Sequence, residues 1–301
     1  MTNFQVATEV FDQWRENVLT GAPPQLFPIG EGALARVEIG PKLVTLIGGA
    51  PGAGKTAFTM QCVIDALRLT PNLRASVCNI EMPPEVLLDR QLSRLSGVSA
   101  RDIRYRQISR KHVQRIDWGM NTLGAVADRI CFVRPPFDLA NAVIAADAFG
   151  AKLMVLDYIQ RIRPPGKQDD QRGSVNETMD YVRQFADTGV AVVVVAAVAR
   201  TKDSKGRSSY DAGGLSLASF RESSELEFGA DDAFILAPSD DEHVTLKHLK
   251  ARHTEALDID LVFDKSVQSF TPHESLKTES ADLAEGLRAA WNNIEDAPDV
   301  K

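Results

Sequence analysis

Residues 49–56, Gly49-Ala50-Pro51-Gly52-Ala53-Gly54-Lys55-Thr56, constrain this chain more than any other stretch. They spell G-x-x-x-x-G-K-[ST], the phosphate-binding P-loop. The motif sits between an apolar run, residues 43–47, and a helical pattern over residues 57–69, which is the strand–turn–helix context it requires. The glycines let backbone N–H groups turn inward around an anion. The helix N-terminus adds partial positive charge at the same place. Lys55 can then reach β- and γ-phosphates and Thr56 can ligate a cation, so ATP and Mg²⁺ are the expected cofactors. A bare glycine turn would not need Lys and Thr in these two positions.

From residue 43 onward, apolar runs alternate with helical stretches. Strands are expected over residues 43–48, 75–80, 130–133, 153–156 and 191–196, several of them continuous apolar runs of the kind buried on both faces of a parallel sheet. Helices follow most of them, which predicts a doubly wound, mostly parallel α/β core. After Asp232 the pattern becomes short strands at 233–236, 244–250 and 257–263 with hairpin connections, so the sheet is expected to end in antiparallel strands. An amphipathic helix is expected over residues 4–18, with Phe4, Ala7, Phe11, Trp14 and Val18 on one face. The loop Gly21-Ala22-Pro23-Pro24 detaches it. It could pack on its own core or on a neighbouring subunit. The expected division is a linker helix and loop at 1–24, an ATPase domain at 25–271, and an acidic tail at 272–301 with a weak helix over 281–294.

Composition excludes several classes. No segment approaches 18 consecutive apolar residues, and the N-terminus has no secretory pattern, so neither a membrane span nor export is expected. Cys62, Cys78 and Cys131 lie far apart in apolar surroundings and read as buried hydrophobes in a reducing, cytoplasmic setting. The net charge of −7 argues against a surface basic all over. The tail carries seven acids and three bases, so the body is near −3 and leaves room for basic loops.

A P-loop binds nucleotide, but hydrolysis needs further carboxylates. Residues 153–157, Leu-Met-Val-Leu-Asp, form an apolar strand ending in Asp157, the Walker B pattern, with the acid at the crevice where α/β sheets bind ligands. Glu81 ends the strand after the P-loop helix, before Pro83 and Pro84. From chemistry alone it is either a catalytic acid aimed at the γ-phosphate or an acid that opens the next helix.

These residues carry a resemblance. Ile80-Glu81-Met82-Pro83 with Arg94-Leu95-Ser96-Gly97-Val98, then Val155-Leu156-Asp157-Tyr158-Ile159-Gln160, resemble segments of DnaB-type replicative helicases. So do residues 220–227 with Ala230-Asp231, and Leu249-Lys250-Ala251-Arg252. The four motifs stand in the family's order and cover its C-terminal RecA-like ATPase domain and a preceding linker helix. About forty residues precede the P-loop strand, too few for the family's N-terminal primase-binding domain, which is therefore expected to be missing. The resemblance implies that Glu81 is the catalytic glutamate and that Asp157 holds the magnesium-bound water. It implies that Lys250 and Arg252 reach the γ-phosphate of a neighbouring subunit, within a homo-oligomer that is a ring of six. By themselves those two would read as a solvated basic strand face.

Two polar loops, residues 163–172 and 201–214, would by the same resemblance face a central channel. Lys202, Lys205 and Arg207, with Arg163 and Lys167, could touch phosphates of single-stranded DNA. Otherwise they are solvated loops. One departure stands out. The family carries a glutamine sensor where this chain has Ala197, and alanine cannot hydrogen-bond a phosphate. The resemblance therefore does not carry over a link between hydrolysis and strand movement. The leading expectation is an ATP-hydrolysing helicase or translocase in replication of a phage, plasmid or similar element, with a loader or initiator protein as a possible partner. The alternatives are a nucleotide-switched oligomeric module without unwinding and, more weakly, a small-molecule P-loop kinase.

Overall fold

The apolar runs become the strands of one sheet because each presents hydrophobic side chains to both of its faces. A computed structural model of the chain describes residues 4–165, 171–198, 201–202, 208–209, 215–220 and 225–273. The elements in order are α1 (Ala7–Thr20), β1 (Val44–Gly49), α2 (Lys55–Leu69), β2 (Ala75–Asn79), α3 (Pro84–Ser96), α4 (Ala100–Arg104), α5 (Val113–Ala127), β3 (Ile130–Phe132), α6 (Leu139–Phe149), β4 (Leu153–Asp157), α7 (Gln171–Asp187) and β5 (Ala191–Ala197). A small hairpin, β6 (Thr201–Lys202) with β7 (Ser208–Ser209), follows, then α8 (Glu225–Gly229), β8 (Asp232–Pro238), β9 (His243–Ala251), β10 (Ile259–Asp264) and β11 (Ser269–Pro272).

The nine strands are ordered β11-β10-β9-β8-β1-β5-β4-β2-β3. Strands β3, β2, β4, β5, β1 and β8 run parallel, and β9 to β11 extend the sheet antiparallel. Side chains alternate across it. Val77, Val155 and Val193 join Phe58, Ile64 and Leu67 of α2 on one face. Cys78, Leu156 and Val194 join residues of α6 and α7 on the other. This is why the parallel strands read as unbroken apolar runs rather than as alternation. Helix α2 is buried from Ala57 to Leu67, and the Gln61 carboxamide ties it to β11 by exchanging hydrogen bonds with the backbone of Phe270 at 2.7 and 2.9 Å.

The structure corrects one expectation and adds to the others. Residues 233–236 do not simply begin the antiparallel group: β8 is antiparallel to β9 but parallel to β1, so it closes the parallel core. β11 lacked a sequence signal because it is short and interrupted by polar residues. β2 is separated from β1 by β5 and β4. Helix α1 buries none of its residues, and Phe4, Phe11, Trp14 and Val18 are 71, 52, 56 and 64 % exposed. Of its two readings, packing on its own core is not what the chain adopts. The expected tail helix, Lys167, Lys205 and Arg207 lie outside the described residues. No helix among the described residues is long and apolar enough to cross a membrane.

Candidate active site

β1 delivers the chain to the P-loop, and the loop turns into α2 at Lys55. Gly52 and Gly54 take left-handed φ values of +82° and +87°, a region open to glycine and costly for L side chains. At Gly54 a Cβ would also stand 2.7 Å from Phe270 and 2.9 Å from Phe263. Beside the loop lies a cavity of about 670 Å³, lined among others by Gly52, Gly54, Lys55, Thr56, Glu81 and Asp157. It opens at the C-terminal ends of the parallel strands, where α/β sheets hold ligands.

The polar groups in it are organised around Asp157. The Thr56 hydroxyl donates to Asp157 Oδ2 at 2.7 Å, and Asn79 Nδ2 donates to the same oxygen at 2.7 Å. A threonine hydroxyl beside a carboxylate suits a hard cation such as Mg²⁺, which takes oxygen ligands. Asn79 reaches further, because its Oδ1 accepts the backbone N–H groups of Glu81 and Met82 at 3.0 and 2.8 Å. One buried carboxamide thus fixes both the Walker B acid and the turn carrying Glu81. The pairing Asn79↔Asp157 across β2 and β4 is what brings Glu81 into the cavity, although its strand is distant from β1.

Lys55 Nζ donates to the carbonyls of Gly49 at 2.8 Å and Ala50 at 3.0 Å, so the ammonium sits inside the loop it would serve. Burial lowers its pKa, while the charges of Asp157 and Glu81 hold it up. Burial raises the pKa of Asp157, the Thr56 hydroxyl opposes this, and Glu81 pushes in the same direction as burial. Lys55 and Asp157 therefore each sense the other and the charge of Glu81.

Arg90, Phe263, Lys265 and Gln268 line the same cavity and were not singled out in the sequence. Arg90 comes from α3, and the other three from β10 and its turn into β11. The only sequence signal for Arg90 was its place on the helix that opens after Glu81. Ala197 also faces this cavity, and the Gln160 carboxamide exchanges two 3.2 Å hydrogen bonds with its backbone.

Lys250 and Arg252 lie elsewhere. β9 runs antiparallel to β8, so it leaves the P-loop edge as it proceeds: Leu246 is opposite Leu236, itself paired with Gly49, whereas Lys250 is opposite Ala233. At roughly 3.4 Å per residue, Lys250 is about 14 Å down the strand from P-loop level. A register slip between Ala233 and Phe234 interrupts the simple alternation of β9. Lys250 Nζ donates to the Ala230 carbonyl at 2.7 Å and Arg252 to Asp231 Oδ1 at 2.6 Å. Asp231 also accepts from Arg183 at 2.6 Å and from the Val44 N–H at 2.8 Å. Both basic residues are thus held at the opposite end of the strands from their own chain's P-loop. Arg163 is exposed and follows β4; its carbonyl accepts the Leu139 N–H at 2.9 Å, at the mouth of a separate cavity of about 590 Å³. For Lys202 only the backbone of β6 is described.

Comparison with known proteins agrees with this geometry. The family model for the DnaB-like helicase C terminal domain matches residues 39–272. The chain is 25% identical over 176 residues to the replicative DNA helicase DnaB of Pasteurella multocida (strain Pm70), across 55% of this chain and 37% of that protein. It therefore spans well under half the length of that curated relative. Among solved structures, the ATPase domain of G40P superposes with a TM-score of 0.76 at 17% identity, covering 90% of this chain and all of the other. A DnaB-like replicative helicase, solved in a study of its interactions with primase, superposes with a TM-score of 0.75 at 16% identity, covering 90% of this chain and 67% of that one. The fold is the RecA-like fold of these ATPase domains, and the chain belongs to the DnaB-like helicase C-terminal domain family.

Proposed function

We propose that this chain is an ATP-hydrolysing helicase or translocase that acts on single-stranded DNA in replication, as a homo-oligomeric ring of six. The observation that carries the reading is the convergence of Lys55, Thr56, Glu81 and Asp157 on one cavity in a chain of this family. The loop amides and Lys55 bind the β- and γ-phosphates. Thr56 and Asp157 would hold Mg²⁺, which would supply positive charge to offset that of the phosphates. Glu81 orients a water and takes its proton. The water oxygen bonds to the γ-phosphorus as the bond to the bridging oxygen breaks, the electron pair stays on ADP, and the proton passes to solvent.

Lys250 and Arg252 are assigned to the neighbouring subunit's γ-phosphate. Their place at the opposite end of the strands from their own P-loop supports a role in trans, since they are too far away to serve in cis. The uncovered apolar face of α1 supports residues 1–24 acting as a linker that docks on a neighbouring copy. Residues 25–271 form the ATPase domain in this reading, and 272–301 a solvated acidic tail. Lys202, Lys205, Arg207, Arg163 and Lys167 are the proposed DNA contacts. A cytoplasmic, phage- or plasmid-borne replication role, with a loader or initiator as partner, completes the proposal. Ala197 favours a second reading, a nucleotide-switched oligomer with little translocation, because no side-chain amide at that position can follow the γ-phosphate.

Subunit mixing tests the shared site. Lys55→Ala and Arg252→Ala proteins are each expected to be nearly inactive as ATPases. A one-to-one mixture is expected to recover activity at interfaces that join an intact P-loop to an intact finger. A mixture as inactive as its components, or a fully active Arg252→Ala protein, contradicts the reading.

A further inference from the structure

Next to the nucleotide cavity lies a second, smaller one of about 260 Å³. The two share Arg90 and Gln268 in their walls. The smaller cavity is lined further by Arg101, Arg104, Tyr105 and Asp89, so three arginines and one aspartate line it. The carboxylate is already engaged, because Asp89 pairs with Arg106 at 2.9 Å. Arg90, Arg101 and Arg104 form no ion pair among the described residues. Among the described residues, the three arginines of these walls are therefore without an ion-pair partner, although Arg90 feels the charge of Asp157.

Like charges gathered without counter-ions cost free energy unless an anion joins them. The Arg90 guanidinium registers this directly: burial and the neighbouring charge of Arg104 lower its pKa, and Asp157 acts the other way. The arrangement is also built rather than loose. Arg90 comes from the middle of α3, while Arg101 and Arg104 come from α4. The turn between β10 and β11 is clasped to the start of α4 by the Ala100 N–H donating to the Ser266 carbonyl at 2.8 Å. That turn is itself shaped by Asp264, whose Oδ1 accepts from the Ser266 N–H and hydroxyl at 2.9 and 2.7 Å. Guanidinium forks match the tetrahedral oxyanion of a phosphate better than a point charge does.

We propose that the Arg90–Arg101–Arg104 cavity is a second oxyanion site, which receives inorganic phosphate as it leaves the nucleotide cavity past Arg90. The product identity rests on the ATPase reading above; the oxyanion site does not. Arg90 stands between the two chambers and Arg101 and Arg104 form the far wall, so a released phosphate moves from one guanidinium to a cluster of three. Held there, it slows its own escape and inhibits the enzyme when added from solution.

The test uses the full chain loaded with ADP and Mg²⁺ and titrated with inorganic phosphate in a calorimeter, for wild type, Arg101→Ala/Arg104→Ala and Arg101→Lys/Arg104→Lys. Arg101 and Arg104 are exposed and lie outside the hydrolytic machinery, so ADP affinity and thermal midpoint should stay as in wild type. Phosphate affinity should fall by about tenfold or more in the double alanine protein, as expected for loss of charge-assisted hydrogen bonds, and by less in the lysine protein. Product inhibition by phosphate should weaken in parallel. Equal phosphate affinity in all three proteins would overturn the site. Phosphate binding that depends on the two arginines in a chain that never hydrolyses ATP would support the oxyanion site and overturn both the product identity and the proposed function.

Discussion

Replacing Asn79 by alanine probes the joint on which the active site turns. The side chain is 7% exposed and makes three hydrogen bonds: one to the Asp157 carboxylate and two from the N–H groups of Glu81 and Met82. A hydrogen bond to a charged group contributes roughly 1.5–3 kcal/mol to stability. The two N–H groups sit at an exposed and half-buried turn where water can replace the lost acceptor, so together they add roughly 1 kcal/mol. Asn79→Ala should therefore destabilise the fold by roughly 2.5–4 kcal/mol in urea unfolding with an unchanged m-value. The functional cost should be separable. Partners that orient a metal ligand typically account for about 10–100-fold in metal affinity or activity. The Mg²⁺ concentration giving half-maximal ATPase should rise by that order, while Asn79→Asp, which keeps an acceptor for the two N–H groups but sets a second carboxylate against Asp157, should recover neither stability nor activity. A loss below about 0.5 kcal/mol, or a variant with wild-type Mg²⁺ dependence, would refute the claim that Asn79 positions Asp157 and Glu81.

Other perturbations follow from the same geometry. Gly54→Ala places a Cβ against Phe263 and Phe270 in a left-handed conformation, so it should lose roughly 1–3 kcal/mol of stability and most affinity for a fluorescent ATP analogue; normal binding would contradict the crowding seen there. Asp231→Asn weakens the anchor shared by Arg183, Arg252 and Val44, and should cost roughly 3 kcal/mol, the lower end for a broken buried pair because Arg183 and Arg252 reach solvent. A urea midpoint within error of wild type would speak against it. The Cys78 thiol is pushed up to about 12 from its ordinary 9.0, first by burial and then by Asp138 and Asp157, and burial raises Cys62 too. Because the folded state holds these protons more tightly, their contribution is complete below the unfolded value and is lost as pH rises from there toward the folded one. Each thiol adds a slope of up to about 1.4 kcal/mol per pH unit, so Cys62→Ala/Cys78→Ala should show a shallower alkaline loss of stability than wild type above about pH 9. Parallel slopes would contradict this.

The contrast between Asp157 and Asn79 shows what the sequence made legible. Asp157 was visible because an apolar run that ends in an acid is a local pattern, and because the P-loop upstream says what such an acid is for. Asn79 is one residue short of the end expected for its strand, and nothing local marks it. Its importance arises from the pairing of β2 with β4, which no periodicity encodes. Arg90, Lys265 and Gln268 share that difficulty, since three segments far apart in the chain meet at the cavity. Strands β1, β4 and β5 were read to within a residue because burial on both faces leaves no polar alternation to confuse them. β11 failed for the opposite reason: with only Phe270 deeply buried, it carries too little pattern to read. Lys250 and Arg252 were found through the resemblance carried by Leu249-Lys250-Ala251-Arg252, yet the register slip in β9 and the carbonyls of residues 228 and 230 decide where they sit.

The measurement that bears most directly on the whole account is the steady-state ATPase rate with and without single-stranded DNA, at low and moderate salt, with Lys55→Ala as the blank. The account predicts a rate that requires Lys55, rises several-fold with single-stranded DNA, and loses that stimulation as salt screens the phosphate contacts. A Lys55-dependent rate indifferent to DNA at both salt concentrations would contradict it and leave the nucleotide-switched oligomer as the better description.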